Sequence, residues 1–217
     1  MKKKKQFLVI GLGRFGSSMA VTLAEEGAEV MGVDNSMETV EAHRSLLTNV
    51  LCGDAMDRTV LEQISAGSFD VAVVSIGADI KVSSVVTMHL KEIGVRQVVV
   101  KAADEFHGRM LEKLGADMVV YPERDMGRRL ACKLVSTDIM DYIELSPDYT
   151  LVEIRPEAEW IGKPLRELNL RGKKHMNVVA VRSDDRVNAV PGPDTVIEPE
   201  DVMLVIMSNA EMEKQGL

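Results

Sequence analysis

The run Phe7-Leu8-Val9-Ile10-Gly11-Leu12-Gly13-Arg14-Phe15-Gly16 decides the fold of this chain. Four consecutive apolar residues read as a buried strand, and residues 17–26 carry a helical pattern. Between them stand three glycines at the spacing G-x-G-x-x-G. Gly11 allows the tight turn, Gly13 lets a phosphate approach the backbone, and Gly16 lets helix and strand pack closely. The opening of the helix offers free N–H groups and a positive dipole end to that anion.

Outward from this turn, short β-branched runs alternate with helical patterns. Strands are predicted over residues 7–10, 29–33, 50–52, 70–76, 97–101 and 118–121, and helices over 17–26, 37–47, 59–64, 81–92 and 105–114. Gly27, Gly94 and Gly115 close three of the helices, as a left-handed cap requires. Six strands alternating with helices predict an α/β fold, a Rossmann-like doubly wound parallel sheet. Apolar residues make up 46% of the chain but aromatics only 4%, which fits an aliphatic core around a sheet covered on both faces.

After Pro122 the pattern changes. Residues 126–139 read as one amphipathic helix and 141–149 as irregular, with Ser146-Pro147-Asp148 as a turn signal. Strands at 151–154, 177–181 and 202–207 follow, with a short helix near 165–168 and a polar hairpin at 183–186. This predicts a nucleotide-binding domain over residues 1–140 and a second, smaller α/β domain over 141–217.

The net charge of −8 argues against a nucleic-acid partner. The one dense basic run, Lys2 to Lys5, reads as a solvated leader. Cys52 and Cys132 have no metal-ligand or disulfide spacing, which points to a reducing cytoplasm, and no stretch is long and apolar enough to span a bilayer. His43, His89, His107 and His175 are scattered and read as surface or boundary residues; no catalytic or acid–base constellation is evident. The expectation is a protein that holds a nucleotide without transforming it.

The candidate nucleotide site collects the carboxyl ends of the strands, the ligand edge of such a sheet. Gly11, Gly13, Arg14, Phe15 and Gly16 form the turn, and an arginine there suits a ligand with additional negative charge. Asp34 ends the second strand, where a carboxylate accepts from ribose hydroxyls and disfavours a 2′-phosphate; alternatively it caps the next helix. Asp54 and Ala55 follow the third strand, and Asp54 either contacts the ligand or caps a helix. Gly77 and Ala78 follow the fourth. Lys101 ends the fifth, neutralising a phosphate or lying solvated. Glu123 follows the sixth and either helps bind a metal ion beside the phosphates or serves as a helix-start carboxylate.

Together Gly11–Gly16, Val33-Asp34, Gly53-Asp54-Ala55, Gly115-Ala116-Asp117 and Tyr121-Pro122-Glu123-Arg124-Asp125-Met126-Gly127 resemble the RCK family, regulators of potassium conductance of the TrkA type, and within it the gating subunits of Ktr potassium transporters. The resemblance implies a cytoplasmic, peripheral regulatory subunit of a potassium uptake system. It would form a homo-oligomer, an octameric ring docked on a KtrB- or KtrD-like membrane subunit, and switch with ATP and ADP. It further implies that Arg14 and Asp34 hold phosphate and ribose, and that Glu123 sits near the γ-phosphate with a Mg or Na ion. The second domain would dimerise and bind cyclic di-AMP, with Leu165, Leu168, Arg171, Asn177 and Pro191 in the positions of that site. Against this stands one alternative from the residues alone, an NAD(H)-binding oxidoreductase or redox sensor, which Asp34 permits.

Overall fold

A computed structural model describes residues 4–77, 79–135, 139–146, 148–184 and 186–214. The chain divides into two compact units, 1–123 and 124–217.

The first unit runs β1 (Gln6–Ile10), α1 (Arg14–Glu25), β2 (Glu29–Asp34), α2 (Met37–His43), β3 (Asn49–Cys52), α3 (Arg58–Gln63), β4 (Val71–Val74), α4 (Ile80–Ile93), β5 (Gln97–Lys101), α5 (Glu105–Lys113) and β6 (Met118–Val120). Its sheet is wholly parallel in the order β3-β2-β1-β4-β5-β6. Period-2 alternation explains its two cores. Leu8, Ile10, Ala72, Val74, Val98 and Val100 belong to one buried cluster, whereas Val9, Val71, Val73 and Val99 belong to the other. A strand apolar at every position is thereby covered on both faces, as the aliphatic composition requires.

The order of strands reverses between β1 and β4, so their carboxyl ends open a crevice that no crossover helix fills. The helix stops follow the glycines in part. Gly27, Gly94 and Gly115 have φ of +83°, +93° and +98°, while α2 and α3 end on Arg44 and Ile64 without one.

Helix α6 (Pro122–Val135) crosses the division between the units. It begins earlier than the apolar pattern predicts, Ile139 belongs to the following strand, and residues 136–138 of the expected helix lie outside the described residues. The second unit continues with β7 (Ile139–Ser146), β8 (Tyr149–Ile154), α7 (Leu165–Leu168), α8 (Leu170–Lys173), β9 (Asn177–Ser183), β10 (Arg186–Asn188), β11 (Val202–Ser208) and α9 (Asn209–Lys214). The sheet is antiparallel in the order β10-β9-β11-β8-β7. It packs Val152, Ile154, Met203, Val205 and Met207 against Trp160, Leu168, Leu170 and Ile197.

The stretch expected to be irregular is therefore a strand. β7 is an edge strand paired only with β8. Its interspersed Asp141, Glu144 and Ser146 weaken the alternation that a strand signal rests on, and charge is what edges carry. The polar hairpin expected near 183–186 joins β9 to β10. Pro147 and Lys2 and Lys3 of the basic run lie outside the described residues.

Candidate functional site

The glycine turn sits at the mouth of the crevice. Gly11 takes φ +87°, a conformation that only glycine adopts readily. A Cβ on Gly16 would overlap the Gly11 carbonyl oxygen and the Ser75 hydroxyl, so the third glycine is dictated by helix–strand contact. A Cβ on Gly13 would meet no protein atom within 4 Å. Protein packing gives no reason for that glycine, whereas the approach of a ligand to the backbone does. Gly13 is also the N-cap of α1 and, having no side chain, offers no cap to the N–H groups of the first turn.

In front of the turn lies a cleft of about 480 Å³, within the range of small-ligand sites. Gly11, Gly13, Arg14, Phe15, Asp34, Asp54, Ala55, Gly77, Lys101 and Glu123 line it. Six strand ends and loops thus deliver ten of the predicted site residues to one place. Gly16 is buried behind the turn and does not line the cleft. Ala78 lies outside the described residues.

Asp34 accepts hydrogen bonds from Leu12 N at 2.7 Å and from Ser36 N at 2.9 Å. The cap of α2 is Ser36, whose hydroxyl accepts from Thr39 N at 3.3 Å. A carboxylate has about four acceptor positions, so Asp34 retains capacity toward the cleft. Asp54 accepts from Met56 N at 2.9 Å, while Asp57 caps α3.

Lys101 reaches across the floor of the cleft and donates to Glu123. Its stem runs beside Gly77, where a Cβ would stand 2.9 Å from Lys101 Cε. The ammonium lies 5.9 Å from the centroid of the Phe15 ring, within cation–π range. The hydrogen bond from Lys101, with the charges of Lys101 and Arg14, holds the Glu123 carboxyl below the ordinary carboxylate value. Among the described residues no group of three or more His, Cys, Asp or Glu converges to hold a metal ion. Glu123 offers a single carboxylate, so a cation there would need phosphate oxygens or water to complete its shell.

The sequence-based list omitted Ser75, Asn35 and Asp79, which also line the cleft. Ser75 was detectable: it is a polar residue placed where the apolar run 71–74 meets the carboxyl edge. The histidines are a correction. His43 is buried, donates from Nδ1 to the Thr39 carbonyl at 2.7 Å and pairs through Nε2 with Ser17 Oγ at 2.6 Å. His107 is fully buried; its Nδ1 accepts from Ala103 N at 3.2 Å and its Nε2 lies 2.9 Å from Ser83 Oγ. Scattered spacing does not reveal a histidine whose two nitrogens are satisfied inside the core. His89 is half-buried and His175 exposed, as expected.

In the second unit a cleft of about 180 Å³ is lined by Leu165, Arg171 and Asn177, together with Arg166, Asn169 and Met176. Arg171 Nη2 donates to Asn177 Oδ1 at 3.0 Å. Leu168 belongs to the core of that unit, and Pro191 is not part of the lining.

Residues 7–122 match the TrkA-N domain and residues 149–214 the TrkA-C domain. The chain is 40% identical over 211 residues to the Ktr system potassium uptake protein C of Bacillus subtilis (strain 168), covering 97% of this chain and 96% of that protein. Among solved structures, the GsuK channel bound to NAD superposes with a TM-score of 0.70 at 15% identity, over 97% of this chain and 38% of that one. The GsuK bound to ADP does so with 0.55 at 15% identity, over 63% and 36%. At these identities the structures establish the fold alone.

Proposed function

The chain belongs to the TrkA-N/TrkA-C family of RCK proteins, and from that premise we propose that it is a non-catalytic regulatory subunit of a potassium uptake system that binds ATP and ADP in the cleft of its first unit and gates a membrane-embedded translocating subunit. The observation that carries the nucleotide assignment is the uncapped N-terminus of α1, opening on Arg14 and on Lys101 and Glu123 in one cleft. That is an anion site with a basic rim, joined to a carboxylate, Asp34, placed for ribose hydroxyls. The GsuK structures hold NAD in one case and ADP in the other, ligands that share an adenosine and a diphosphate.

On this reading Arg14 contacts the phosphates and Asp34 the ribose, and Glu123 binds a Mg or Na ion beside the γ-phosphate. Switching requires the two nucleotides to bind the two states with different affinity, because a ligand without preference shifts nothing. Subunits of this kind would assemble as an octameric ring on the cytoplasmic face of the membrane, held there by a KtrB- or KtrD-like partner. Among the described residues no helix is long and apolar enough to cross a membrane, which supports attachment through a partner. The second unit would dimerise, and the cleft at Leu165, Arg171 and Asn177 would take cyclic di-AMP.

Calorimetric titration with ATP and with ADP, paired with small-angle scattering of each complex, tests the switch. Different affinities and different shapes are expected. Equal affinities with one shape would remove the basis of gating. The NAD(H) alternative keeps one specific support, the NAD-bound relative of the same fold. Saturable NADH fluorescence that ATP does not compete away would favour it instead.

A further inference from the structure

The peptide between Gly11 and Leu12 is held from both sides. Its N–H, on Leu12, donates to Asp34 Oδ2 at the end of β2. Its C=O, on Gly11, accepts from the Ser75 hydroxyl at the end of β4. β2 and β4 are the two neighbours of β1 in the sheet. One peptide plane at the apex of the glycine turn is thus gripped by the strands on either flank. Ser75 is fixed in turn, since its own N–H donates to the Ile10 carbonyl at 2.9 Å.

Such a grip matters because of the residue it holds. Gly11 lacks a Cβ and its neighbouring peptide can rotate at little steric cost. In the observed orientation the Gly11 carbonyl accepts from Ser75 and is packed against Gly16. In the flipped orientation the Gly11 carbonyl oxygen would take the place of the Leu12 N–H and face the Asp34 carboxylate, setting one acceptor against another. The hydroxyl of Ser75 has one proton and spends it on this carbonyl, so it selects the orientation in which the Leu12 N–H satisfies Asp34 and the turn keeps its shape.

We propose that Ser75 is a positioning residue of the nucleotide site, acting through the Gly11–Leu12 peptide and opposite Asp34. The inference rests on the nucleotide reading given above for its effect on affinity. Asp34 therefore has two tasks in one carboxylate, ribose on the open side and the turn on the other.

The test uses the full chain with Ser75→Ala, in two measurements. Amide hydrogen exchange of the ligand-free protein reads the clamp directly: the Leu12 amide should exchange faster in the variant, by about five-fold for the loss of one hydrogen bond, while amides of β1 and β5 stay unchanged. Calorimetry with ADP and with adenosine reads the consequence: ADP affinity should fall by about five-fold and adenosine affinity should hold. Unchanged Leu12 exchange overturns the clamp. Equal losses for ADP and adenosine, or no loss for ADP, overturn the positioning role. If the wild-type chain binds neither ADP nor adenosine, the nucleotide reading fails and the affinity role falls with it, while faster Leu12 exchange in the variant would still establish the clamp.

Discussion

Replace Gly16 by alanine and the new methyl has no room. It would overlap the Gly11 carbonyl oxygen, which is backbone, and the Ser75 hydroxyl. Helix α1 must then move away from β1, or the Ser75 bond to Gly11 must break. Overpacking of this kind costs about 1–3 kcal/mol. Loss of the hydrogen bond adds roughly 1 kcal/mol. The better helix propensity of alanine returns about 1 kcal/mol. The net expectation is a destabilisation of about 2 kcal/mol, a shift of roughly 6 °C in Tm for a chain of this size. Gly13→Ala is the matched control. Its Cβ meets nothing within 4 Å, and its φ of −66° is open to any residue. Its fold stability should stay within about 0.5 kcal/mol of wild type, while ADP binding weakens because the methyl stands where the phosphate approaches. Thermal denaturation and calorimetry of both variants decide the matter. A Gly16→Ala protein as stable as wild type, or a Gly13→Ala protein that is destabilised equally, would refute the division of labour between the two glycines.

Three further outcomes are expected. Lys101→Ala should let the Glu123 carboxyl titrate at higher pH than in wild type, since the Lys101 hydrogen bond is the largest cause of its depressed value; carboxyl-detected NMR reads this, and an unmoved titration would mean that the Glu123 backbone N–H and Arg14 hold the carboxylate without Lys101. Burial lowers the His107 pKa, with Asp104 partly opposing, so the folded state keeps the imidazole neutral while the unfolded chain takes a proton below about pH 6.5. Stability should therefore drop as pH falls from about 6.5 toward the folded value, and urea midpoints should lose part of that slope in His107→Gln. Arg171→Ala should abolish cyclic di-AMP binding, judged by calorimetry, and leave ADP binding intact; loss of both would indicate misfolding.

The parts of the fold legible in the sequence were those with a strong local signal. β1, β4 and β5 are apolar at nearly every position because both faces are covered, and the glycine turn joins a strand to a helix at a spacing that few other contexts produce. The edge strand β7 was not legible, because among the described residues it has a strand neighbour on one side and its residues need not be apolar. At the site, residue types announced themselves where charge sits at a strand end, as with Asp34 and Lys101. Asn35 escaped because a small polar side chain at a loop carries little information until the neighbouring strand is placed beside it. The pairing of His107 with Ser83, 24 residues away, depends on a tertiary contact.

On the proposed reading, the charges lining the cleft put the discrimination between ligands at one end of it. Arg14 and Lys101 contribute two positive charges, and Asp34, Asp54, Asp79 and Glu123 four negative ones, so the lining carries 2 − 4 = −2. An anionic ligand is therefore not drawn in by the cleft as a whole. It must be held by the α1 N-terminus and the Arg14 and Lys101 rim, where the positive groups lie. There Glu123 already engages Lys101. A ligand with one more phosphate adds negative charge beside that carboxylate and competes with it for the same ammonium. On the proposed reading, ATP must either draw Lys101 away from Glu123 or bring a cation that satisfies both anions, whereas ADP leaves the pair intact. The two nucleotides then differ in what they demand of one ion pair at the start of α6, the helix in which the contacts of the first unit end and those of the second begin.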